Sequence, residues 1–567
     1  MTNAGHEGRE EHGETWRITV MPEGKVVFCP PEPGTGPKKS LRAALAEGGI
    51  FVDGACGGAG TCGKCKVRIL SGTSSPMSDN ERRLSGGGEG AGNCRLACRV
   101  IPLGDMVVEI PGSPKERAVF TRAAAYGTGP CGLAVDIGTT TVEAALIDTG
   151  TGMVIANRSE INPQTRFGMD VLSRISYVMG HPHGVSTLQE AIVNSIDAMT
   201  GDLCRAAGVR ASSIGAVAVA GNCAMLHLLL GMDPTPLGAF PFTPAFVGGR
   251  DLPAAEVGLE TVGKNARLYC LPSVSAFVGG DVVAGVYSSG LIRHKGDALL
   301  VDIGTNGEMV LSKGAALASR TLASCSCAAG PALEGMNIRC GMRASAGAIE
   351  DIFIDEDGSV RLKIVGGATP RGMVPRGAVP VGICGSGVLA AIKEFLRVGL
   401  VRSDGSLVAP EELPFRRRRL AALYREEGEE KEGGHLSIGL SGDVVITQKD
   451  IRQVQLAKGA LLSGVCALLD WAGLQAGDID KVFVAGQFGA HLPAENLTAC
   501  GVLPAEFGEK MEYIGNSSLS GARMALIVPS VREEMETLAR SVASLELSAM
   551  PSYDELFMKC LEFPRNG

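Results

Sequence analysis

"GLAVDIGTTTVEAALID" (132–148) and "ALLVDIGTNGEMVLS" (298–312) state one pattern twice in a single chain. Each has an apolar run, then Asp-Ile-Gly-Thr, then a second strand-like run. A Walker loop opens a helix instead, and no G-x-x-x-x-G-K-S/T occurs anywhere in the sequence. The turn still suits phosphate chemistry. Its glycine lets backbone N–H groups approach phosphate oxygens, and the Thr hydroxyls add donors. An Asp at the strand end holds Mg²⁺ directly or through water, because Mg²⁺ keeps most of its waters. Facing each other, Asp136, Gly138, Thr139 and Thr140 on one side and Asp302, Gly304, Thr305 and Asn306 on the other would clamp a nucleotide's phosphates. Glu308 has two readings: it orders the Mg²⁺ shell or a water, or it is a charge on a strand surface.

Two more glycine turns follow strands. "VGICGSGVLAA" (381–391) offers Gly385, Ser386 and Gly387, and "KVFVAGQFGAHL" (481–492) offers Gly486, Gln487 and Gly489. Each lets an adenosine approach the backbone. Alone each is weak; the set of four turns in this order is much stronger. His491 follows the last turn directly.

A third kind of loop lies near the N-terminus. In "CGGAGTCGKCKVRIL" (56–70), Gly58, Gly60 and Gly63 spell a dinucleotide fingerprint, while Cys56, Cys62 and Cys65 spell C-x5-C-x2-C. A dinucleotide loop follows a strand and opens a helix. Here the order is reversed: the helical "SLRAALAEGGI" (40–50), with Ser40 as cap, precedes the loop, and the strand "KVRIL" follows it. That order suits an iron–sulfur loop, which needs a distant fourth Cys. "NCRLACRV" (93–100) supplies Cys94 and Cys98. The rival readings are four reduced structural cysteines, or zinc, which prefers two C-x2-C knuckles where this chain has one.

The 567 residues imply several domains at about 150 residues each. Apolar residues make up 45% and aromatics 4%, with 78 glycines, a mix that suits α/β folds with tight turns. The net charge of −8 is spread over both signs, so nothing points to nucleic acid. "RRRR" (416–419) followed by "REEGEEKEGG" reads as a solvated, mobile insertion near 411–434. No apolar stretch stands out as membrane-spanning, and the polar N-terminus is no signal peptide. Seventeen cysteines without secretion imply a reducing cytoplasm. His227, on an apolar helix, reads as a core histidine. Cys325, Cys327 and Cys340 lack ferredoxin spacing and read as packing. Arg174 and Arg343 meet either phosphates or carboxylates, or pair at the surface.

The order D-x-G-T-T-T, D-I-G-T-N-G-E, G-I-C-G-S-G, A-G-x-F-G resembles the ASKHA superfamily of actin, sugar kinases and Hsp70-type ATPases. The cysteine loop resembles adrenodoxin-like ferredoxins, whose R-L-x-C pattern favours Cys98 over Cys94. Together they resemble the reductive activators of corrinoid proteins. "NPQTRFGMDVLSRI" (162–175), "GNCAMLHLLLG" (221–231), "AAGPALEGMNIRCGMRASAGAI" (328–349) and "TQKDIRQVQLAKGA" (447–460) agree with that family. Cys223, where a hydroxyl is expected, and Cys325 beside Cys327 depart from it.

The resemblance implies a multidomain chain: an α+β, β-grasp ferredoxin-like domain, then a two-lobed α/β ASKHA domain with RNase H-like lobes. The expected division is a disordered 1–14, a ferredoxin-like domain at 15–112, a linker at 113–130, a first lobe at 131–295, a second lobe at 296–545, and a C-terminal tail at 546–567. It implies a 2Fe–2S cluster on Cys56, Cys62, Cys65 and Cys98, and ATP with Mg²⁺ at Asp136, Asp302 and Glu308. The implied activity is ATP-dependent transfer of one electron to Co(II) in the corrinoid protein of a methyltransferase system. A low-potential cellular donor is implied, no nucleic acid and no membrane, and a homodimer is compatible. Plant-type clusters sit near about −400 mV, and the family's Co(II)/Co(I) step lies lower, so the transfer is uphill. Two rivals remain: a small-molecule kinase with Asp281 as general base and the ferredoxin as redox sensor, and an electron carrier with a vestigial ATPase.

Overall fold

The computed structural model describes residues 15–21, 25–29, 39–47, 50, 52, 60, 65–78, 81–82, 94–110, 130–314, 320–355, 357–366, 380–427, 435–486 and 492–565. The chain forms two compact units, 1–115 and 116–567.

In the first unit, β1 (Trp16–Met21) and β2 (Lys25–Cys29) pair antiparallel as a hairpin. The residues that join them, 22–24, lie outside the described residues. Helix α1 (Leu41–Glu47) follows, then β3 (Lys66–Ser74), β4 (Cys94–Leu96) and β5 (Pro102–Glu109). The sheet order is β2-β1-β5-β3-β4, with β1 and β5 parallel. Alternation buries Ile18 and Val20 under Leu41, Ala44 and Leu45 of the helix. Ser40 caps the helix, its Oγ accepting from Ala43 N at 3.3 Å. A buried ion pair, Arg95 Nε to Glu81 Oε1 at 2.8 Å, pins β4; the same oxygen accepts from Leu96 N. Leaving either partner alone would strand a buried charge.

The second unit holds two sheets of matching plan. In the first lobe, β6 (Cys131–Ile137), β7 (Thr141–Asp148) and β8 (Val154–Ile161) form an antiparallel meander. Helices α2 (Val171–Gly180) and α3 (Gly184–Ala207) lead to β9 (Ile214–Gly221), parallel to β6. Helix α4 (Cys223–Leu229), β10 (Arg250–Pro253), β11 (Arg267–Cys270) and α5 (Gly280–Ser289) complete it. The order is β10-β11-β9-β6-β7-β8.

In the second lobe, β12 (Ala298–Ile303), β13 (Gly307–Lys313) and β14 (Thr321–Cys327) repeat the meander. A small sheet of β15 (Ala348–Ile354), β16 (Val360–Ile364) and β17 (Gly382–Ile383) leads into α6 (Gly385–Val398). A second small sheet, β18 (Tyr424–Glu427), β19 (His435–Ser441) and β20 (Val444–Thr447), leads into α7 (Gln448–Ala472). Then β21 (Lys481–Ala485) lies parallel to β12, and β22 (Met511–Gly515) parallel to β21. The two Asp-Ile-Gly-Thr segments therefore end the central strands of two sheets built alike. Helices α8 (Ser517–Ile527) and α9 (Pro529–Ser541) follow, then β23 (Val542–Ser544) beside β14, and α10 (Tyr553–Cys560). One hydrophobic core joins both sheets through α5, α8 and α9, with Ala134, Ala218, Leu300, Phe483, Val283 and Ala522 among its members.

Three expectations change. The charged insertion is only partly solvated: Leu413, Leu420 and Leu423 are buried in the second-lobe core and β18 pairs with β19, while 428–434 lie outside the described residues. The C-terminal tail is folded: Phe563 is buried, Lys458 donates to Glu562 O, and Gln455 Nε2 donates to Leu561 O at 3.0 Å. Helix α7 has the length and apolar content of a membrane span, against the reading of the sequence. It is largely buried within the second lobe, where buried Asp450, Gln455 and Lys458 each find polar partners.

Candidate nucleotide and iron–sulfur sites

Each meander places two carboxylates across from each other at the end of its first hairpin. The register pairs Asp136 with Glu143, and Asp302 with Glu308. The hairpins meet at a cavity between the lobes with about 750 Å³ of empty space including its open mouth. It is lined by Asp136, Gly138–Thr141, Glu143, Asp302–Asn306 and Glu308 from the hairpins, with Asn222, Asp281, Glu334, Gly486, Asn516 and Ser518 from elsewhere. Glu308 is therefore a cavity residue.

The two turns touch. Thr140 Oγ1 and Thr305 Oγ1 are 2.8 Å apart, and Thr305 Oγ1 donates to Glu334 Oε1 at 2.8 Å. Asp136 is held by Ser518 Oγ at 2.7 Å and by Asn516 Nδ2 at 2.9 Å; the same amide reaches Glu143 Oε2 at 2.9 Å. Gly486 has φ of +100°, and a Cβ there would sit 2.6 Å from Ile303 O, so only glycine closes this wall comfortably.

Burial pushes the carboxyl groups up. Asp302 rises to about 7, driven first by burial and then by Asp281 and Asp136. Glu334 rises to about 7 by burial, opposed by the Thr305 bond and by the Arg343 charge. Asp281, Glu308, Asp136 and Glu143 are also raised, each chiefly by burial. So many carboxylates in one dry place repel one another unless a cation or protons join them. Glu334 Oε2 is buried without a hydrogen-bond partner. This all-oxygen donor set beside two glycine turns fits hydrated Mg²⁺ carrying phosphates.

Other expected residues fall elsewhere. Gly385, Ser386 and Gly387 do not line the cavity. They form the first turn of α6, behind the loop that carries Glu334; a Cβ on Gly385 would sit 1.8 Å from Leu333 O. Gln487, Gly489 and His491 lie outside the described residues. Arg174 is fully buried and meets neither a carboxylate nor the surface: its guanidinium donates to Gly168 O at 3.0 Å, Gln164 Oε1 at 3.1 Å and Thr139 O. His227 is a core residue, its Nε2 accepting from Ala245 N at 3.0 Å and its Nδ1 facing Cys223 O at 2.7 Å. Cys325 and Cys327 are buried on β14, with thiols raised by burial. The sequence reading missed Glu143, Asn222, Glu334, Asn516 and Ser518. Asn516 had a local signal, since it caps α8 by accepting from Leu519 N at 2.7 Å.

In the first unit, Cys65 Sγ and Cys98 Sγ lie 3.2 Å apart. That is far beyond a disulfide's roughly 2.05 Å and close to the roughly 3.8 Å between two thiolates on one tetrahedral metal ion. The pair fits two ligands of one iron. Cys94 sits opposite Arg68, while Ala97 N bonds Cys65 O at 2.7 Å. It is thus three residues, about 10 Å of strand, from the level of Cys65. Cys56 and Cys62 lie outside the described residues.

Comparison with known proteins adds the following. Residues 297–567 match the C-terminal domain of RACo, the ASKHA domain; 131–294 match the RACo middle region; 32–103 match the 2Fe-2S iron-sulfur cluster binding domain. The chain is 30% identical over 478 residues to the corrinoid activation enzyme RamQ of Eubacterium limosum, covering 82% of this chain and 74% of that protein. It is 24% identical over 457 residues to the Co(II) methylated amine-specific corrinoid protein reductase of Methanosarcina barkeri, covering 77% of each. A solved structure of a reductive activator for corrinoid, iron-sulfur protein superposes with a TM-score of 0.67 at 30% identity, over 97% of this chain and 98% of that one.

Proposed function

The chain belongs to the RACo family, and from that membership we infer that it is an enzyme of reductive corrinoid activation. Its substrate is the Co(II) corrinoid of a partner protein, returned to Co(I) by one electron. The 2Fe–2S cluster supplies the one-electron chemistry, held by Cys56, Cys62, Cys65 and Cys98. ATP with Mg²⁺ occupies the cavity between the lobes. There Asp136, Asp302 and Glu308 hold the hydrated cation, and the Gly138–Thr140 and Gly304–Asn306 turns bind phosphates. Asn516 and Ser518 orient the Asp136 carboxylate. The observation that carries the nucleotide reading is the meeting of the two Asp-Ile-Gly-Thr turns, joined by Thr140 and Thr305. Because the transfer is uphill, ATP must favour the product state through differential binding of the two conformations. A low-potential donor, a methyltransferase-system corrinoid protein as acceptor and a cytoplasmic setting complete the proposal.

The deciding experiment mixes the reduced chain with a Co(II) corrinoid protein and follows the cobalt absorption spectrum with and without ATP. Growth of the Co(I) spectrum that depends on ATP is expected; Co(II) unchanged by the reduced chain under both conditions rejects the reading.

One observation favours a second reading. Asp281 opens α5 inside the cavity, with its carboxyl raised toward neutrality. A general base so placed suits transfer of the γ-phosphoryl group to a small hydroxylated molecule. ATP-dependent appearance of a phosphorylated metabolite, with no action on cobalt, would select it.

A further inference from the structure

We propose that Asn162 and Arg174 are positioning residues that aim the backbone N–H groups of the first phosphate turn into the cavity. The inference rests on the nucleotide reading above and assigns work to the "NPQTRFG" stretch, which that reading leaves idle.

Three consecutive carbonyls of the turn are tied back. Gly138 O accepts from Asn162 Nδ2 at 2.8 Å, Thr139 O accepts from Arg174 Nη2, and Thr140 O accepts from Asn162 N at 2.8 Å. Both donors are fully buried, and neither lines the cavity, whereas Gly138, Thr139 and Thr140 all do. The donors therefore stand behind the turn. In a trans peptide, the N–H of one residue points opposite to the carbonyl before it. With those carbonyls turned backward, the N–H groups of Thr139, Thr140 and Thr141 turn forward, to the cavity side. Successive N–H groups aimed one way make an anion-binding concavity.

Two further contacts sharpen the arrangement. Asn222 Nδ2 donates to Thr139 Oγ1 at 3.0 Å, which leaves the hydroxyl's own proton for a ligand. Arg174 is itself anchored: Gln164, which accepts from it, donates through Nε2 to Leu188 O of α3 at 2.9 Å. The guanidinium spends its hydrogen bonds on neutral groups, and the nearby Asp170 carboxylate acts on it only through space, so it forms no direct ion pair behind the turn. Burial lowers its pKa only to about 9, so it stays charged at neutral pH.

The test is isothermal titration of the anaerobic full-length chain with ATP and, separately, with adenosine. Asn162→Ser keeps the cap that Asn162 gives Gln164 N at 2.9 Å, since a serine oxygen accepts there too, but it cannot reach Gly138 O. Arg174→Met keeps most of the side-chain volume and loses the donors. Each variant is expected to weaken ATP binding by about 10–100-fold, the scale of hydrogen bonds to charged groups, with adenosine affinity kept within about 2-fold. If ATP and adenosine affinities fall together, or neither changes, while the unaltered chain binds ATP, the positioning role is wrong and the nucleotide reading stands. If the unaltered chain binds no ATP, both fall. Should Arg174→Met not fold, Asn162→Ser alone decides.

Discussion

Thr140 Oγ1 and Thr305 Oγ1 are hydrogen-bonded across the two lobes at 2.8 Å, and Thr305 Oγ1 is bonded in turn to Glu334 Oε1, also at 2.8 Å. The turns of the two sheets thus share one chain of hydrogen bonds that ends on a buried carboxyl group. Phosphates held between the turns, as proposed, would compete with this chain.

Thr305→Val keeps the shape and removes both bonds, leaving Glu334 without its described donor. We expect a loss of about 1–3 kcal/mol in stability, read by denaturant unfolding, and a clear fall in ATP hydrolysis. A double-mutant cycle with Thr140→Val should give a coupling of about 0.5–1.5 kcal/mol. Purely additive losses would mean that the two hydroxyls do not interact in solution.

Asp136→Ala and Asp302→Ala should each reduce ATP hydrolysis by about 100-fold or more, since each removes a carboxylate proposed beside Mg²⁺ and developing phosphate charge. The visible spectrum of the cluster should not change. Hydrolysis at the unaltered rate in both variants would make the paired turns structural.

The raised carboxyl groups set a pH dependence. Between their unfolded values near 4 and about 7, Asp302 and Glu334 hold protons in the folded chain that the unfolded chain has released. Stability therefore falls as pH rises through that window. Unfolding of the nucleotide-free protein at pH 5, 6, 7 and 8 should show the decline. Mg²⁺–ATP should bind better as pH rises through about 7 and should expel protons, measurable by calorimetry in two buffers of different ionisation enthalpy. No proton release at pH 6.5 would contradict the proposed seat of the cation.

For the first unit, Cys98→Ser should lose or distort the reduced EPR signal of the cluster, and Cys94→Ser should leave it intact. The opposite result would reassign the fourth ligand.

Deleting 546–567 should destabilise the second lobe, because it strips Phe563 from the core and removes the carbonyls of Glu562 and Leu561 that accept from Lys458 and Gln455. A truncated chain that melts with the intact one would refute this.

Both sheets could be read in the sequence because each Asp-Ile-Gly-Thr turn joins two strands with local apolar signals. The four turns in order gave the lobes, and the order of helix, loop and strand separated the cysteine loop from a nucleotide fold. What could not be read was whatever depends on distant packing. Arg174 looks like a surface cation in a helix; only the fold turns it inward beneath Thr139. Gly385 and Gly387 carry the texture of a ligand loop, yet in the fold they let α6 approach the backbone at Leu333 and Ile349. Leu420 and Leu423 sit among arginines and acids, so composition concealed that they belong to a core. Glu334, Asn516 and Ser518 reach the site from remote segments, and no local periodicity marks such residues.

Helix α8 comes late in the chain but shares a core with β6 and β9 strands, and it brings Asn516 and Ser518 to Asp136. A ribosome making about 5–20 residues per second therefore leaves Asp136, 380 residues before Asn516, without that partner for roughly 20–80 s. In that interval Ala134 and Ala218 lack the helix that covers them, and Asp136 is an ordinary hydrated carboxylate. The buried, hydrogen-bonded setting of this residue is acquired only near the end of synthesis, so a nascent chain stalled before residue 516 would hold the first Asp-Ile-Gly-Thr turn without Asn516 and Ser518 beside it.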